Sequence, residues 1–219
     1  MKIGLIVAMD KEYQQFINVL SSDDVQMGDN HIVLRKCGIG KVNAAVGCTL
    51  LIKEHNPDLI ISSGVAGGTS DMDIMDVVVS ERVVYHDVYC GPESQYGAIQ
   101  HMPAIYETPK DLIKLALSSN DSANTGQTIH AGLIASGDSF IDDREKYNKV
   151  IEHFPETLAF DMESGSLAQV CHIFNVPFIS FRIISDIVTK ENNTKMYTDF
   201  WATVSDTSFN ITKQFLERL

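Results

Sequence analysis

Residues 158–166 read LAFDMESGS, and two of them are acids that follow a short apolar run. Asp161 and Glu163 flank Met162 at the point where an extended segment is expected to become a helix. Acids are common at helix starts, because the positive end of the helix dipole stabilises them. The same carboxylates could instead be held over a cleft to meet a substrate. The local sequence leaves both interpretations open.

Other polar and glycine-rich stretches follow apolar runs in the same way. Ligands of open α/β sheets bind outside the carboxyl ends of the strands, so residues at these positions are candidates for a site. The further stretches are Met9-Asp10-Lys11-Glu12, Gly64-Val65-Ala66-Gly67-Gly68, Ser136-Gly137-Asp138-Ser139-Phe140-Ile141 and Ser185-Asp186. Acids, glycines and one aromatic residue therefore gather at strand ends. The aromatic residue, Phe140, could instead be a core residue that contacts no ligand.

The remaining candidates also have structural interpretations. Glu12 could complement a helix dipole in a first turn, and Asp186 could cap a helix or turn. The GVAGG stretch at 64–68 could be a turn, since glycine tolerates positive φ, although glycine also lets a ligand approach the backbone. Asp138 and Asp142 are interpreted as helix caps and are assigned no chemistry.

Several sharper motifs are excluded. The stretch GIGKVN at 38–43 begins like a dinucleotide-binding fingerprint, but Asn43 stands where the third glycine belongs, and a P-loop needs another spacing. His86-Asp87 lacks the further histidines and acids of a metal site, and its interpretation is local hydrogen bonding at a strand end. There is no HExxH or GxSxG sequence. We therefore expect no metal and no organic cofactor.

Hydrophobic periodicity predicts the elements that must position these residues. Runs rich in Val and Ile predict strands, some of them buried on both faces, and the segments between them have helical spacing. The predicted strands lie at 2–8, 31–36, 58–63, 76–84, 129–136 and 177–184, and the predicted helices at about 10–21, 41–55, 109–119, 142–153, 163–174 and 197–218. This alternation predicts an α/β domain, a three-layer sandwich with a mixed, mostly parallel twisted sheet flanked by helices.

One long irregular segment, 86–108, interrupts the alternation. A loop of this length in a compact domain is usually functional or interfacial. Side chains in or beside it that are expected to be buried are Tyr85, Tyr89, Tyr96, Met102 and Tyr106.

Composition limits the class of protein further. A chain of 219 residues, 44% of them hydrophobic, is long enough for one domain over residues 1–219. Its net charge of −12 disfavours nucleic acid as a partner. The cysteines form no CxxC pair and are expected to be reduced, mostly buried thiols of a cytoplasmic protein. The apolar N-terminal stretch is too short for a signal peptide, and no run approaches the length of a membrane span, so no membrane partner is expected.

Taken together, the strand-end stretches resemble the bacterial 5′-methylthioadenosine/S-adenosylhomocysteine nucleosidases, of the purine nucleoside phosphorylase superfamily. The matching stretches are MKIGLIVAMDKE at the start, CGIGKVNAA at 37–45, ISSGVAGG at 61–68, SGDSFI at 136–141, FDMES at 160–164 and FRIISD at 181–186. Their order and spacing match from residue 1 to about 186, whereas 88–108 and the C-terminal helix match weakly. The resemblance implies a nucleoside phosphorylase-like fold and hydrolysis of the bond between adenine and a 5′-substituted ribose.

The resemblance also implies roles for individual residues. Glu12 would polarise the attacking water and Asp186 would be the general acid for adenine N7, with Arg182 and Ser185 supporting the water and the acid. Glu163 would bind the ribose hydroxyls. Glycoside hydrolysis generally needs such paired carboxyl groups, because the sugar becomes an oxocarbenium-like ion as the leaving group departs.

Other residues would contact the substrate. Phe140 would stack on adenine and Ile141 would offer backbone groups to its Watson–Crick edge, while Met162 would pack on the sugar. Met9 and Ile39 would line the ribose and 5′ side. The implied substrate-binding set is Met9, Ile39, Val65, Ala66, Gly67, Phe140, Ile141, Met162, Glu163 and Ser185.

The chain departs from the family pattern at two places. Val65 stands where some members have a serine near the water, which leaves Glu12 and Arg182 for that role. The loop at 88–108 differs in length and content, and in the family it helps a neighbouring subunit close the 5′ pocket. A homodimer is therefore implied, with the preferred 5′ group left open. Either Met196 or Tyr197 is expected to close the pocket from the last helix.

Two alternatives to hydrolysis are retained. A phosphate-dependent nucleoside phosphorylase of the same superfamily would need arginines or exposed amides for phosphate. The loop after the first strand has no arginine, and Glu12 would repel phosphate, so hydrolysis is favoured. A non-catalytic nucleoside-binding protein is the second alternative, and the retention of both Glu12 and Asp186 disfavours it.

Overall fold

The structure, a computed structural model, describes residues 1–119, 127–203 and 209–219. The strands are β1 (Lys2–Val7), β2 (Asp24–Met27), β3 (Asn30–Lys36), β4 (Leu59–Gly68), β5 (Val77–Tyr85), β6 (Ile105–Glu107), β7 (Ile129–Ser136), β8 (Thr157–Asp161) and β9 (Phe178–Ile187). The helices are α1 (Asp10–Leu20), α2 (Lys41–His55), α3 (Lys110–Ser118), α4 (Arg144–His153), α5 (Ser164–Phe174), α6 (Asn193–Thr203) and α7 (Asn210–Arg218).

The strands form one nine-stranded sheet in the order β2-β3-β1-β4-β8-β7-β5-β6, and β9 pairs with both β4 and β5. Because β9 bridges those two strands, β4, β8, β7, β5 and β9 close into a ring. The pairs β1–β3, β1–β4, β4–β9, β5–β7 and β7–β8 are parallel, and β2–β3, β4–β8, β5–β6 and β5–β9 are antiparallel. The predicted mixed α/β sheet between helices is confirmed.

Among the described residues there are three hydrophobic cores, and the two larger ones cover the sheet. One packs α1 and α7 against it through residues such as Phe16 and Phe215, and the other uses α2 and α5. Strand β9 is buried at every position because it contributes to both cores, which explains why most of its residues are apolar. Phe181 faces the first core and Ile184 the second.

A β-bulge on β9 changes that alternation at the edge where the site lies. Ala66 of β4 pairs with Ile184, but the next residue, Gly67, pairs with Asp186, so Ser185 is the extra residue. A bulge shifts the side chains beyond it to the opposite face. Ile187 accordingly joins Ile184 in the second core although their positions differ by an odd number.

The elements differ from the sequence prediction in one strand end, in one predicted helix and in three strands that were not predicted. Strand β4 extends to Gly68, so GVAGG is the end of a strand and the interpretation as a turn was wrong. The helix predicted at 197–218 is instead α6, which begins at Asn193, and α7; residues 204–208 lie outside the described part. Strands β2, β6 and β8 were not among the predicted strands, because each is short and β6 lies within the 86–108 loop. Within the described ranges, no helix is long and apolar enough to cross a membrane.

Candidate active site

A cavity of about 120 Å³ lies where the carboxyl ends of β1, β4, β7, β8 and β9 meet. The residues that line it are Ala8, Met9, Glu12, Ile39, Val65, Ala66, Gly67, Ser139, Phe140, Ile141, Phe160, Asp161, Met162, Glu163, Ser185, Asp186 and Tyr197. Every catalytic or substrate-binding residue that the resemblance implies is among them, with the exception of Arg182. The strand ends therefore converge as the topology predicts.

The sequence prediction missed a few lining residues. Ala8 adjoins the predicted residue Met9, and Ser139 and Phe160 lie within the quoted SGDSFI and FDMES stretches, so proximity to predicted residues was the available signal. Met196 and Tyr197, the two residues expected to close the pocket, both lie on α6, and their positions on this helix decide between them. Tyr197 lines the cavity, whereas Met196 packs against the second core.

Glu12 is both a helix-start residue and a cavity residue. Its Oε2 accepts hydrogen bonds from the amides of Ala8 and Met9, each at 2.9 Å, and its Oε1 accepts one from Val65 at 3.0 Å. The side chain is 3% exposed. Burial raises the pKa of this carboxyl, although Arg182 and the three amides act in the opposite direction.

The glycine before Val65 is required by this arrangement. A Cβ on Gly64 would lie 2.6 Å from Glu12 Oε1 and 3.3 Å from the guanidinium Nη1 of Arg182. Any side chain at that position would displace the carboxylate. The first glycine of the GVAGG stretch is therefore needed so that the Glu12 carboxylate can approach the backbone closely, and not to form a turn.

Arg182 lies beneath the cavity rather than in its wall. Its Nε donates to Asp161 Oδ2 at 2.6 Å, and its Nη2 donates to the Ser62 hydroxyl at 3.0 Å. Burial lowers the pKa of the guanidinium, but the charges of Asp161, Glu163 and Glu12 raise it more strongly. Arg182 also lines a small cavity of about 10 Å³, which is at the lower limit of the space that one water needs, together with Glu12 and Glu163.

The two acids of LAFDMESGS have different environments. Asp161 accepts hydrogen bonds from the backbone amide of Ser164 at 3.1 Å and from its hydroxyl at 2.5 Å, at the start of α5. Together with its ion pair to Arg182, these contacts confirm the interpretation of Asp161 as a structural acid. Its position in the cavity wall was not predicted.

Glu163 makes no capping bond to its own helix. Its Oε1 accepts a hydrogen bond from the Gly40 amide at 2.9 Å, at the start of α2. Burial, reinforced by the nearby charge of Asp161, raises its pKa to about 7. Glu163 thus lies in the cavity as a carboxyl group that titrates close to neutral pH.

Asp186 directly follows the bulge residue Ser185. The Ser185 hydroxyl donates to Asp186 Oδ1 at 2.8 Å, while Oδ2 is buried and has no hydrogen-bond partner among the described residues. Burial raises the pKa of Asp186. A Cβ on Gly67 would lie 2.9 Å from Val188 Cγ2, so this glycine lets β4 pack closely against Val188, while Oδ2 would be at an ordinary contact distance of 3.4 Å. The alternative interpretation of Asp186 as a helix cap is wrong, since Asp186 lies within β9.

The opposite wall of the cavity is apolar and partly open. Phe140 is 43% exposed, so its alternative interpretation as a core residue was wrong. Tyr197 meets the Phe140 ring edge-to-face at 6.0 Å, and its hydroxyl lies 3.6 Å from Met9 Sδ. Aromatic and thioether groups around an opening suit a flat ring and an apolar substituent.

The acids expected to cap helices behave differently from one another. Asp138 accepts a hydrogen bond from the Lys41 amide at 2.8 Å, so it caps α2 rather than its neighbour α4. Asp143, not Asp142, caps α4 by accepting from Lys146. Asp87 was predicted to make local hydrogen bonds at its strand end. This prediction was wrong, because Asp87 accepts hydrogen bonds from Lys41 Nζ and from the Asp138 amide.

The loop at 86–108 also differs from expectation, because Tyr89 is 62% exposed. A second, more open groove of about 460 Å³ lies between β6 and α5. It contains none of the predicted site residues. In the described ranges, no group of three or more His, Cys, Asp or Glu side chains could hold a metal ion.

Comparison with known proteins agrees with the fold and the cavity. The family model described as "Phosphorylase superfamily" matches residues 2–217. The 5′-methylthioadenosine/S-adenosylhomocysteine nucleosidase of Exiguobacterium sp. is 36% identical over 232 aligned positions, covering 100% of this chain and 99% of the relative.

Two solved structures are similar throughout. The nucleosidase of that name from Colwellia psychrerythraea, in complex with adenine, has a TM-score of 0.92 and 28% identity, covering 100% of this chain and 96% of the other. Futalosine hydrolase of Helicobacter pylori has a TM-score of 0.88 and 27% identity, covering 100% and 98%.

The fold and the acidic cavity thus define a protein of the phosphorylase superfamily type. Within that superfamily, the chain belongs to the family of bacterial 5′-methylthioadenosine/S-adenosylhomocysteine nucleosidases.

Proposed function

We propose that this chain is an N-glycosyl hydrolase that cleaves 5′-substituted adenosines, such as 5′-methylthioadenosine and S-adenosylhomocysteine, to adenine and the 5′-substituted ribose. The observation that carries the proposal is the environment of Asp186, a buried carboxyl with a raised pKa and an unpartnered oxygen in a cavity that also contains Glu12 and Glu163. The family relationship gives the same activity.

Asp186 is proposed as the general acid. Adenine is a poor leaving group unless a proton reaches it as the glycosidic bond breaks. A raised pKa keeps Asp186 protonated to a higher pH than an exposed aspartate, and its Oδ2 is free to donate. The Ser185 hydroxyl then holds the other oxygen and fixes the orientation of the carboxyl group.

Glu12 is proposed to accept a proton from the attacking water. Its raised pKa makes it a stronger base than an exposed glutamate, and three amide hydrogen bonds hold it in one orientation. Arg182 does not line the main cavity, but it lines the small cavity beneath it together with Glu12 and Glu163. Its proposed role is to support the attacking water from there, to hold Asp161 in place and to balance the charge of the two glutamates.

Glu163 is proposed to bind the ribose hydroxyls, with Met162 against the sugar. Its Oε1 accepts a hydrogen bond from the Gly40 amide, and Glu163 lines the same cavity as Glu12 and Asp186. Phe140 supplies an exposed aromatic face for adenine, followed directly by the backbone of Ile141. Met9, Ile39 and Tyr197 then form the apolar side that would receive the 5′ group; the strand residues Val65, Ala66 and Gly67 complete the proposed substrate contacts.

Phosphorolysis is disfavoured by the charge of this cavity. Its charged lining residues are Glu12, Asp161, Glu163 and Asp186, all acids, while the nearest arginine, Arg182, lies beneath and is engaged by Asp161. A phosphate ion entering beside Glu12 would meet net repulsion, and it would lack the cationic partners that phosphate sites use.

A homodimer is proposed as the functional state. Three exposed apolar side chains, Val42, Val46 and Leu50, follow one another at intervals of four along α2, and exposed Ile173 lies on α5, which packs beside α2. Ile39, exposed at the cavity, directly precedes this helix. A second copy seated on this stripe would therefore lie next to the 5′ side of the cavity. We also propose a cytoplasmic location and a role in nucleoside catabolism and methionine salvage.

The test is an adenine-release assay by chromatography in phosphate-free buffer. The substrates are 5′-methylthioadenosine, S-adenosylhomocysteine, 5′-deoxyadenosine and aminodeoxyfutalosine, with inosine as the control for the base. Release of adenine and free 5′-substituted ribose without phosphate is expected. Strict dependence on phosphate, with a ribose 1-phosphate product, would overturn hydrolysis. Tight nucleoside binding by calorimetry with no adenine formed over hours would instead establish a binding protein.

A further inference from the structure

We infer that Lys41, Asp87 and Asp138 form a clamp that positions the adenine-binding loop against the ribose-binding carboxylate. The inference rests on the proposed function and deepens it. None of the three residues lines the cavity, so the clamp acts through the residues that do.

The clamp is a closed ring of hydrogen bonds between three separate segments. Lys41 Nζ donates to both carboxylate oxygens of Asp87, at 3.0 and 2.8 Å. Asp87 Oδ2 accepts a further bond from the Asp138 amide at 2.8 Å. Asp138 Oδ1 in turn accepts a bond from the Lys41 amide at 2.8 Å. The start of α2, the end of β5 and the loop after β7 are thereby joined.

The ring is attached to the cavity at two points. The amide of Gly40 donates to Glu163 Oε1, and the next amide, that of Lys41, donates to Asp138. Consecutive amides of one helix start therefore bind the proposed ribose carboxylate and the loop that continues into Phe140. The spacing between sugar and base contacts is set through this turn.

Gly40 is suited to this junction. Its φ is +90°, a conformation that other residues rarely adopt, and a Cβ would lie 3.0 Å from Asp138 Oδ1. A larger residue would strain the backbone and crowd the Asp138 carboxylate. The Gly-Lys pair of the GIGKVN stretch thus has a structural explanation without a phosphate ligand.

The adenine-binding loop needs such support because its main aromatic residue is poorly packed. Phe140 is 43% exposed, and its ring contacts Tyr197 only at an edge. Isolated exposed ion pairs contribute little. The Lys41–Asp87 pair is different, since both side chains are about three-quarters buried and Lys41 Nζ also lies 5.4 Å from the centre of the Tyr85 ring.

Loss of the clamp is expected to weaken binding of the base more than the chemical step. Asp87→Ala removes the acceptor for Asp138 and the partner of Lys41, so the loop loses its position. Glu12 and Asp186 have their own hydrogen bonds, which the clamp does not share. We expect KM for 5′-methylthioadenosine and Kd for adenine to rise about ten-fold or more, with kcat changed by less than about three-fold.

The experiment compares Asp87→Ala, the milder Asp87→Asn, and Lys41→Met with Lys41→Arg, which keeps the charge. Steady-state kinetics give kcat and KM, and calorimetry gives Kd for adenine. Glu156→Gln is the matched control, since it breaks an exposed ion pair with Arg82 at 2.7 Å and lies outside the cavity. It should match the wild type, and Lys41→Arg should recover most of the affinity lost in Lys41→Met. The melting temperature identifies any variant that does not fold. If Asp87→Ala does not fold, the result is decided by Asp87→Asn and Lys41→Met.

Unchanged KM and Kd in folded Asp87 and Lys41 variants would overturn the clamp. A fall in kcat with KM unchanged would also overturn it, because the clamp would then act on the chemistry. Failure of the proposed function is recognised separately. It would appear as absence of adenine release by the wild type, whereas the calorimetric comparison of adenine affinity needs no turnover.

Discussion

Arg182 and Asp161 form an ion pair in the interior of the protein, with Nε donating to Oδ2 at 2.6 Å and side chains only 3% and 1% exposed. Removing one member of such a pair leaves an uncompensated buried charge, which costs about 3–5 kcal/mol. We expect Arg182→Met to lower the free energy of unfolding by about that amount in urea denaturation. The control is Arg82→Gln at an exposed ion pair, with an expected loss of less than about 1 kcal/mol. Equal losses of unfolding free energy in the two variants would show that the buried pair stabilises the fold no more than the exposed pair does.

Asp186→Asn should nearly abolish adenine release and leave the fold intact. The amide keeps an acceptor for the Ser185 hydroxyl but cannot protonate the leaving group. A general acid typically contributes about 10²–10⁴-fold to the rate, and kcat should fall within that range. The measurement is kcat by chromatography, with circular dichroism as a check on folding. The exposed Asp142→Asn provides the control, and normal adenine release by purified Asp186→Asn protein would refute the assignment.

The pH profile of kcat/KM should fall on its alkaline side as Asp186 loses its proton. Burial raises the pKa of this acid, so the fall should come at a higher pH than for an exposed aspartate. Glu12 must be ionised to accept a proton, and burial raises its pKa also, so its protonation should set the acid side. Profiles of the wild type and Asp186→Asn test this expectation. An alkaline limb that persists unchanged in the residual activity of Asp186→Asn would assign that limb to another group.

Glu163→Gln should change how stability depends on pH. Burial makes the folded chain hold the Glu163 proton more tightly than the unfolded chain, raising the pKa from 4.5 to about 7. The resulting stabilisation of the folded state is fully present below pH 4.5 and is lost as the pH rises through about 7. The glutamine side chain carries no charge at any pH, so the substituted protein should lose this dependence and be more stable than the wild type at pH 8, by up to about 3 kcal/mol.

Melting temperatures of Glu163→Gln and wild type from pH 5 to pH 8 provide the measurement. The exposed Glu156→Gln is the control, because it removes the same kind of carboxylate from an ion pair with Arg82 that lies outside the cavity. Parallel curves for Glu163→Gln and the wild type would contradict the raised pKa. The same substitution should weaken both binding and turnover of the nucleoside, since Glu163 is proposed to hold the ribose.

Tyr197 should act through its ring rather than its hydroxyl. The ring meets Phe140 edge-to-face, whereas the hydroxyl lies 3.6 Å from a weak acceptor, Met9 Sδ. Tyr197→Phe should therefore leave KM for 5′-methylthioadenosine nearly unchanged, and Tyr197→Ala should raise it by about two- to ten-fold. A large effect of Tyr197→Phe would show that the hydroxyl contacts the substrate. Met196→Ala, which alters the second core instead, is the comparison on the same helix.

Much of the site could be predicted because strand ends are visible in sequence. Apolar runs mark the strands, and the carboxyl ends of parallel strands meet at one edge of a sheet. Glu12, Phe140 and Asp186 were found in this way. The wrong predictions concern local alternatives. GVAGG has turn composition but forms the end of β4, where Gly64 accommodates the close approach of Glu12.

Other features depend on contacts between distant parts of the chain. Asp87, Asp138 and Lys41 are separated by long stretches of sequence, and each has an ordinary local interpretation. Phe140 is of a residue type that is usually buried in the core, yet it is exposed. The closed ring of strands likewise depends on β9 pairing with two partners, which alternation of strands and helices does not specify.

LAFDMESGS illustrates the division. The sequence by itself determined that two acids stand where an extended segment becomes a helix, and it predicted that this junction belongs to the ligand-binding edge of an α/β sheet, because hydrophobic periodicity is a local property. Only the tertiary structure decided their separate roles. Asp161 is paired with Arg182 of β9 and with the start of its own helix, whereas Glu163 meets the Gly40 amide and the cavity. The physical reason is that a carboxylate's pKa and partners are set by the burial and charges around it, and these come from other segments of the chain.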